Sequence, residues 1–486
     1  MLARRLTGCR SRASRLVRGR EYHVAVVGAG PAGFYTSKYL MKQASASDTS
    51  LRVDMFERLP TPFGLVRFGV APDHPEVKNV INDFSETARS ASFRFFGNVS
   101  VGGDVSMATL RRAYDAVVLC TGAEGERLLG IPGEDLHGVV GAPSFVKWYN
   151  GHPDYVGLDP PAPGETAVVL GQGNVALDIA RLLARGESEL SPTDIHPGAL
   201  ARIAEWQRGG LRTVHVVGRR GFVQAAFTNA ELRELLTISD QVLPVIDPAE
   251  LELCRNSASE EELSKSRMKK RSLGILEQMA KNFDQRGTTS KRVLWLRFLL
   301  APEEVLPSEC GSQVAGVRLR RMQLEGEPGK QRAVPAASGE VEDIPCGLIA
   351  RSVGFGITPF EGLPQGDAGK VPHTQGCVEQ PDAEGGLYVS GWLKRGPQGI
   401  IATNIPDAQE TAARLWKDLL HARSRGSAAD ASLAEAALKA AGLQTVSFED
   451  WEALQAEERR RGSAAGRSAI KWTDVGEMLR YVRGGA

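Results

Sequence analysis

The sequence predicts an α/β protein of two doubly wound parallel-sheet domains, one inserted into the other, with a helical appendage towards the C-terminal end. Three strand–turn–helix passages carry that prediction. In the first, a β-branched strand over Tyr22–Val27 meets a glycine turn and a helix running through Met41. In the second, a strand over Thr166–Leu170, a glycine turn and a helix over 175–185 repeat the same order. In the third, a strand over 386–390 leads through a Gly- and Pro-rich turn to a helix from about Ile400. A strand followed by a helix at this spacing returns to a parallel neighbour, so both sheets should be covered on both faces.

The Pro-rich stretch 159–164, just before the second turn, reads as a domain connection. The Gly- and Pro-rich stretch 354–369 reads as the return crossing, which makes the second domain an insertion. The expected division is a leader over 1–20, an outer domain over 21–136 and 351–486, and an inserted domain over 137–350. Beyond Ala422 the chain is Ala-rich and helical in pattern, with no assignable chemistry.

The first turn is Gly28-Ala29-Gly30-Pro31-Ala32-Gly33. Gly28 permits the tight turn, Gly30 lets the backbone approach a pyrophosphate, and Gly33 lets helix pack on strand. The amides and dipole of the helix start then face the phosphates. The next strand, over 51–56, ends in Glu57. A carboxylate there accepts hydrogen bonds from ribose hydroxyls and repels a 2′-phosphate, so FAD or NAD is expected here and NADP is not.

The second turn, Gly171-Gln172-Gly173-Asn174-Val175-Ala176, carries the permitted alanine in third place. Its following strand, over 211–217, ends in Gly218-Arg219-Arg220-Gly221. Two guanidinium groups stand where an NAD site would place a carboxylate. They suit a dianionic 2′-phosphate through charge-assisted hydrogen bonds, which points to NADPH. The chain is thus expected to carry two Rossmann-like dinucleotide-binding domains, the NADP domain inserted into the FAD domain.

Composition narrows the class. Of 486 residues, 42% are hydrophobic and 24% charged, ordinary for a globular chain, and no apolar run is long enough to span a membrane. The cysteines, Cys9, Cys120, Cys254, Cys310, Cys346 and Cys377, form no C-x-x-C pair. That spacing suits neither a disulfide framework, a zinc site nor a cysteine-ligated cluster; no metal site is expected, and the thiols should be reduced. The first twenty residues hold seven arginines and no acid, with Leu2, Leu6, Leu16 and Val17 on one helical face. This is the pattern of a mitochondrial transit peptide. Without those seven, 52 basic residues face 58 acidic ones, a balance of −6. Any basic patch is then a local feature. Arg267-Met268-Lys269-Lys270-Arg271 is one, and it would steer an acidic partner. No aromatic interleaving or recognition motif points to nucleic acid.

The residues after Glu57 bear a family resemblance. The run Pro62-Phe63-Gly64-Leu65-Val66-Arg67-Phe68-Gly69-Val70-Ala71-Pro72-Asp73-His74-Pro75 closely resembles the signature of the adrenodoxin reductases, mitochondrial NADPH–ferredoxin reductases. Gly171 through Asp178, Val217 through Gly221, and Gly391 through Thr403 are similar to that family's NADP segments and closing flavin motif. The resemblance implies FAD contacts at Ala32, Glu57, Leu65, Val99, Trp392, Gly399, Ile400 and Ile401, beside Gly28, Gly30 and Gly33. It implies NADP contacts at Gln172, Gly173, Asn174, Val175, Arg219, Arg220, Glu231 and Gly399. Residues 255–295 depart more freely from the family, so a partner surface there rests on charge: Lys269, Lys270 and Arg271, joined by Arg233.

The implied reaction is hydride transfer from NADPH to FAD, then single electrons to an acidic [2Fe-2S] ferredoxin. That ferredoxin would serve mitochondrial P450 steroid hydroxylation or iron–sulfur cluster assembly. Hydride transfer between stacked rings needs no general acid or base, so no catalytic triad is expected. Trp392 is a candidate gate beside the nicotinamide, or a packing residue. His74 and Asp178 fall in motifs that the resemblance brings near the flavin, either as a proton relay or as hydrogen bonds between domains. The expected place is the mitochondrial matrix, compatible with peripheral inner-membrane contact. A disulfide reductase would need a cysteine pair, and a cluster-bearing electron-input subunit would need cysteine-rich sites. A flavin redox sensor would share the motifs without turnover.

Overall fold

The computed structural model describes residues 21–358, 363–364, 366, 369–379, 386–422 and 430–484. The transit-peptide reading of 1–20 and part of the return crossing lie outside the described residues.

The outer domain is a seven-stranded sheet. Its order is His373–Thr374, Cys377–Val378, Gly386–Val389, Ala116–Leu119, Tyr22–Val27, Leu51–Glu57, Phe93–Gly97. The last five run parallel, with Val24 opposite Val53 and Val27 opposite Leu119. In the four inner strands the β-branched and aromatic residues are buried on both faces, which is why they read as nearly continuous apolar runs, whereas the edge strand Phe93–Gly97 alternates in burial. The glycine turn, Glu57 and Val389 all sit at the carboxyl ends of these strands. That edge is where open α/β sheets receive ligands.

Seven helices matter below. They are α1 (Pro31–Ala46), α2 (Leu65–Phe68), α3 (Asn174–Ala184), α4 (Asn229–Leu236), α5 (Arg267–Ala280), α6 (Asn404–Ala422) and α7 (Phe448–Ala464). Pro31 opens α1 because its fixed φ suits a first helical turn whose N–H has no partner anyway. Phe34, Leu40 and Ala44 of α1 are buried on the sheet, and α6 packs beside it.

The inserted domain is a six-stranded, all-parallel sheet in the order Val139–Gly141, Leu348–Arg351, Thr166–Leu170, Thr213–Val217, Arg292–Arg297, Val242–Ile246. A smaller antiparallel sheet built on Val314–Glu325 closes one face. The chain's two crossings between the large sheets are joined to each other. Gly125–Glu126 pairs antiparallel with Phe355–Gly356, a two-stranded ribbon at the passage between domains.

The C-terminal helices expected from the sequence pack against the outer domain. Val446 exchanges backbone hydrogen bonds with Gly97 at the end of the sheet's last strand. Phe448 and Trp451 of α7 pack edge-on against Phe63, whose neighbours Phe34 and Phe84 stack at 4.9 Å. Arg67 of α2 forms a buried bidentate pair with Glu458 of α7 and stacks over Trp451. An unpaired charge there would be costly, so α7 and α2 hold each other in place.

Candidate functional site: two dinucleotide turns and the junction between them

At the first turn the glycines divide the work as the motif requires. Gly28 has φ +102°, and a β-carbon on it would lie 2.6 Å from the Cys120 carbonyl oxygen. A β-carbon on Gly33 would lie 2.2 Å from the Gly28 carbonyl oxygen, so the helix could not seat on the strand. Over Gly30 an added β-carbon would meet nothing within 4 Å, which leaves open space above the turn. Glu57 caps the site: its carboxylate accepts the Ala29 N–H at 2.9 Å and the Leu59 N–H at 3.1 Å. Burial raises its pKa, an effect these two amides and Arg58 oppose.

Leu65, Val99 and Trp392 stand at the same edge. Leu65 opens α2 directly after Gly64, whose added β-carbon would sit 3.1 Å from the Gly30 Cα. Val99 is buried and donates its N–H to the Glu57 carbonyl at 2.8 Å. Gly391, just before Trp392, lies against the first turn, since a β-carbon on it would come 2.5 Å from the Ala32 Cβ. Trp392 packs at 4.9 Å on Phe355 of the interdomain ribbon, placing it where the two domains meet. Gly399 has φ +85° and is exposed, as is Ile400; Ile401 begins the 3-10 turn before α6.

The second turn repeats the backbone device with different side chains. Gly171 has φ +136°, and a β-carbon on it would clash with the Ser352 carbonyl oxygen at 2.1 Å. Gly173, like Gly30, faces open space. Gln172 donates from Nε2 to the Arg297 carbonyl at 2.7 Å and lies across Gly218. Asn174 accepts the Thr228 N–H at 3.0 Å, fixing the approach to α4, while Val175 is half-buried beside it. Arg219 and Arg220 are exposed and neither joins an ion pair among the described residues. Burial, then the neighbouring Arg219, lowers the Arg220 pKa. Two guanidinium groups without an ion pair among the described residues give this strand end a positive local potential.

Between the turns lies a charge cluster of which the sequence reveals only half. His74 Nε2 meets Glu234 Oε2 of α4 at 2.8 Å, across the domain boundary. The Glu234 hydrogen bond is the largest influence on His74 and raises its pKa. Asp178 accepts from Arg181 at 2.9 Å, and the fully buried Arg181 also binds Asp73 at 2.7 and 3.0 Å. Glu231 stands 3.6 Å from Arg181, its Oε2 buried without a hydrogen-bond partner. Donor atoms of His74, Asp178 and Glu231 lie within 4.8 Å of one another, so the two relay candidates are brought together, each already paired with a different residue. Asp73, Arg181 and Glu234 are members of the cluster that the motifs alone do not single out. The available signals are slight: Asp73 lies within the 62–75 run, and Arg181 follows Asp178 by one helical turn.

The basic run opens a helix. It is the first turn of α5, where Lys269 pairs with Glu262 and Arg267, Lys270 and Arg271 are exposed. That turn has no acid, although the helix dipole favours one. Arg233 is exposed on α4, which packs against α5 through the Asn229 side chain and the Met268 carbonyl at 2.9 Å. The five described cysteines, Cys120, Cys254, Cys310, Cys346 and Cys377, are free; Cys9 lies outside the described residues.

Comparison with known proteins decides the family. Residues 22–237 match the pyridine nucleotide-disulphide oxidoreductase family model. NADPH:adrenodoxin oxidoreductase of Salvelinus fontinalis is 45% identical over 473 residues, covering 95% of this chain and 91% of that protein. Its human counterpart is 44% identical, covering 94% and 91%. The chain belongs to the NADPH:adrenodoxin oxidoreductase family. NADPH-ferredoxin reductase FprA of Mycobacterium tuberculosis is 40% identical, covering 95% and 99%. The structure of FprA in complex with NADPH superposes with a TM-score of 0.88 at 39% identity, covering 96% of this chain and all of that one. Membership of the adrenodoxin oxidoreductase family thus extends over both sheets and the C-terminal helices. Among the described residues no helix is long and apolar enough to cross a membrane.

Proposed function

We propose that this chain is an NADPH-dependent FAD reductase that takes hydride from NADPH and passes electrons singly to a ferredoxin. The observation that carries this reading is the contrast between two equivalent positions. A half-buried carboxylate, Glu57, ends the second strand of the outer sheet, and two exposed guanidinium groups without an ion pair among the described residues end its counterpart in the inserted sheet.

The residues present fit both nucleotides. Open space lies over Gly30 and Gly173, and Glu57 keeps acceptor capacity beyond its two amide donors. Accordingly, Gly28, Gly30, Ala32, Gly33, Glu57, Leu65, Val99, Trp392 and Gly399 through Ile401 are assigned to FAD. Gln172 through Val175, Arg219, Arg220, Glu231 and Gly399 are assigned to NADPH. The FAD domain is then 21–136 with 351–486, and the NADP domain is 137–350. Bound FAD supplies an acceptor for two electrons that can be released one at a time. The chain's own part is to orient and to exclude water. Arg219 and Arg220 fix the 2′-phosphate end of the donor, and Glu57 fixes the flavin nucleotide's ribose. Trp392, held by Phe355, shields the junction, and the His74–Glu234 pair ties α4 to the loop after α2.

The partner is read as an acidic [2Fe-2S] ferredoxin meeting Arg233, Lys269, Lys270 and Arg271. Lys270 and Arg271, exposed and without an ion pair among the described residues at the unfavourable end of α5, support that, because helix stability alone would place acids there. The names of the animal relatives, all mitochondrial, and the arginine-rich start support a mitochondrial matrix location. Anaerobic mixing of the FAD-loaded chain lacking residues 1–20 with NADPH should bleach the flavin rapidly and then reduce a ferredoxin catalytically. A marked preference for NADH, or no flavin uptake, would refute the reading.

A further inference from the structure

A second junction joins the two domains through the C-terminal segment. Residues 467–473 carry no regular structure and run from the end of the α7 region across to the inserted domain. There the Ser468 N–H donates to the Pro192 carbonyl at 2.8 Å, and the Arg467 guanidinium donates to the Ile195 carbonyl. Lys471 is the centre of the contact. Its Nζ lies 3.0 Å from Asp194 Oδ2, 3.1 Å from the Asn150 carbonyl and 3.3 Å from Asn150 Oδ1, with the side chain only 5% exposed. Asp194 also receives Lys78 of the outer domain at 2.7 and 2.8 Å. One carboxylate of the inserted domain is thus held by lysines from two separate parts of the outer domain.

The other end of the segment is equally specific. The Trp472 N–H donates to Glu458 Oε1 at 2.8 Å and the Ile470 N–H to the Glu458 carbonyl at 3.0 Å. Glu458 is the partner of Arg67 on α2, the helix opened by Leu65. Asp194 is therefore linked through Lys471, the flanking Ile470 and Trp472 backbone, and Glu458 to the helix assigned to the flavin. Burial pushes the Lys471 ammonium down to about 7 against the pull of Asp194, yet the charged and the neutral amine can both donate to these acceptors.

We infer that Lys471 is a positioning residue for hydride transfer: by pinning Asp194 and Asn150 to the C-terminal strap it sets how the NADP domain sits over the flavin. The physical warrant is that hydride transfer demands near-contact between two rings held by different domains, so a displacement of about 1 Å costs on the order of 100-fold in rate. This rests on the function proposed above. The test is stopped-flow reduction of the FAD-loaded Lys471→Met chain at saturating NADPH, expressed per bound flavin.

A drop of roughly tenfold or more in that rate, with the apparent KM for NADPH changed much less and partial recovery in Lys471→Arg, is expected. A merely structural lysine would lower the melting temperature and flavin content but leave the per-flavin rate unchanged, and that result would overturn the inference. Should Lys471→Met fail to retain FAD, Asp194→Asn keeps the shape and carries the same measurement: a slowed per-flavin rate supports the strap, and an unchanged one overturns it. If the unsubstituted chain itself is not reduced by NADPH, the proposed function fails, and not the strap alone.

Discussion

The two dinucleotide turns share one backbone solution and part company one strand later. Gly28 and Gly171 both hold positive φ where a side chain would strike a carbonyl, and Gly30 and Gly173 both leave open space above the turn. At the end of the next strand the likeness stops. Glu57 accepts the Ala29 and Leu59 amides, whereas Arg219 and Arg220 are exposed and without an ionic partner among the described residues. The difference teaches that pyrophosphate binding resides in the shared backbone, and nucleotide choice in a few side chains at the end of the second strand.

The sharpest way to break that comparison is to remove the arginines. Replacing both Arg219 and Arg220 with alanine should weaken NADPH by on the order of 100-fold or more, since each charge-assisted bond contributes about 1.5–3 kcal/mol. NADH, which has no 2′-phosphate, should lose little, so the ratio of the two kcat/KM values is the quantity to measure. The reciprocal arm is Glu57→Ala, which strips the Ala29 and Leu59 amides of an acceptor as well as the ribose. It should raise the dissociation constant of FAD by about 10–100-fold and leave nicotinamide preference alone. If both variants damaged both nucleotides equally, the division of labour between the turns would be wrong.

How far the site is legible before folding depends on how local each signal is. Glu57 and the arginine pair sit at fixed offsets from their turns, so strand–turn–helix spacing is enough to place them. Element limits shift where amphipathic contrast fades. The helix after the first turn runs on to Ala46, past Met41, through a polar and mostly exposed stretch. The strand before Arg219 begins at Thr213, two residues later than the apolar pattern places it. The Arg181 cluster is beyond reach, since its carboxylates come from the 62–75 segment, α3 and α4 and meet only in three dimensions. The C-terminal helices look appended for the same reason. Phe448 and Trp451 mark an apolar face, but nothing local says that Phe63 covers it.

A smaller effect separates the two sheets by acid. His215 lies in the strand that leads to Arg219, its ring 4.9 Å from that of Trp295 and tilted by 30°, and burial pushes it down to about 3. Arg297 adds to that depression and Glu342 opposes it. The folded state therefore keeps the ring neutral while the unfolded chain takes up a proton near pH 6.5. Stability contributed by the neutral ring is complete above pH 6.5 and falls as pH drops below it, until about 3. At pH 5 the loss is about 2 kcal/mol. Hydrogen exchange at pH 7 and pH 5, extrapolated to a common chemical rate, should show the inserted sheet loosening more than the outer one. His215→Gln should flatten that difference, and an unchanged pH response in the variant would assign it elsewhere.

The smallest expected effect asks whether exposed, unpaired cations mean the same thing wherever they occur. Lys270 and Arg271 on α5 resemble Arg219 and Arg220 in being exposed and without an ion pair among the described residues, but no glycine turn stands beside them. If they serve a protein partner, their field acts over a Debye length of about 8–10 Å and is weakened by salt, whereas a bound 2′-phosphate is held by contacts that salt screens far less. Reversing Lys269, Lys270 and Arg271 to glutamate should therefore slow ferredoxin reduction several-fold at low ionic strength, with the deficit shrinking as salt is added. Reduction of ferricyanide by NADPH, which needs no protein docking, should stay near its original rate. A variant that lost both activities together would show that α5 acts through the fold, and one that kept the original salt dependence would place the ferredoxin on another face.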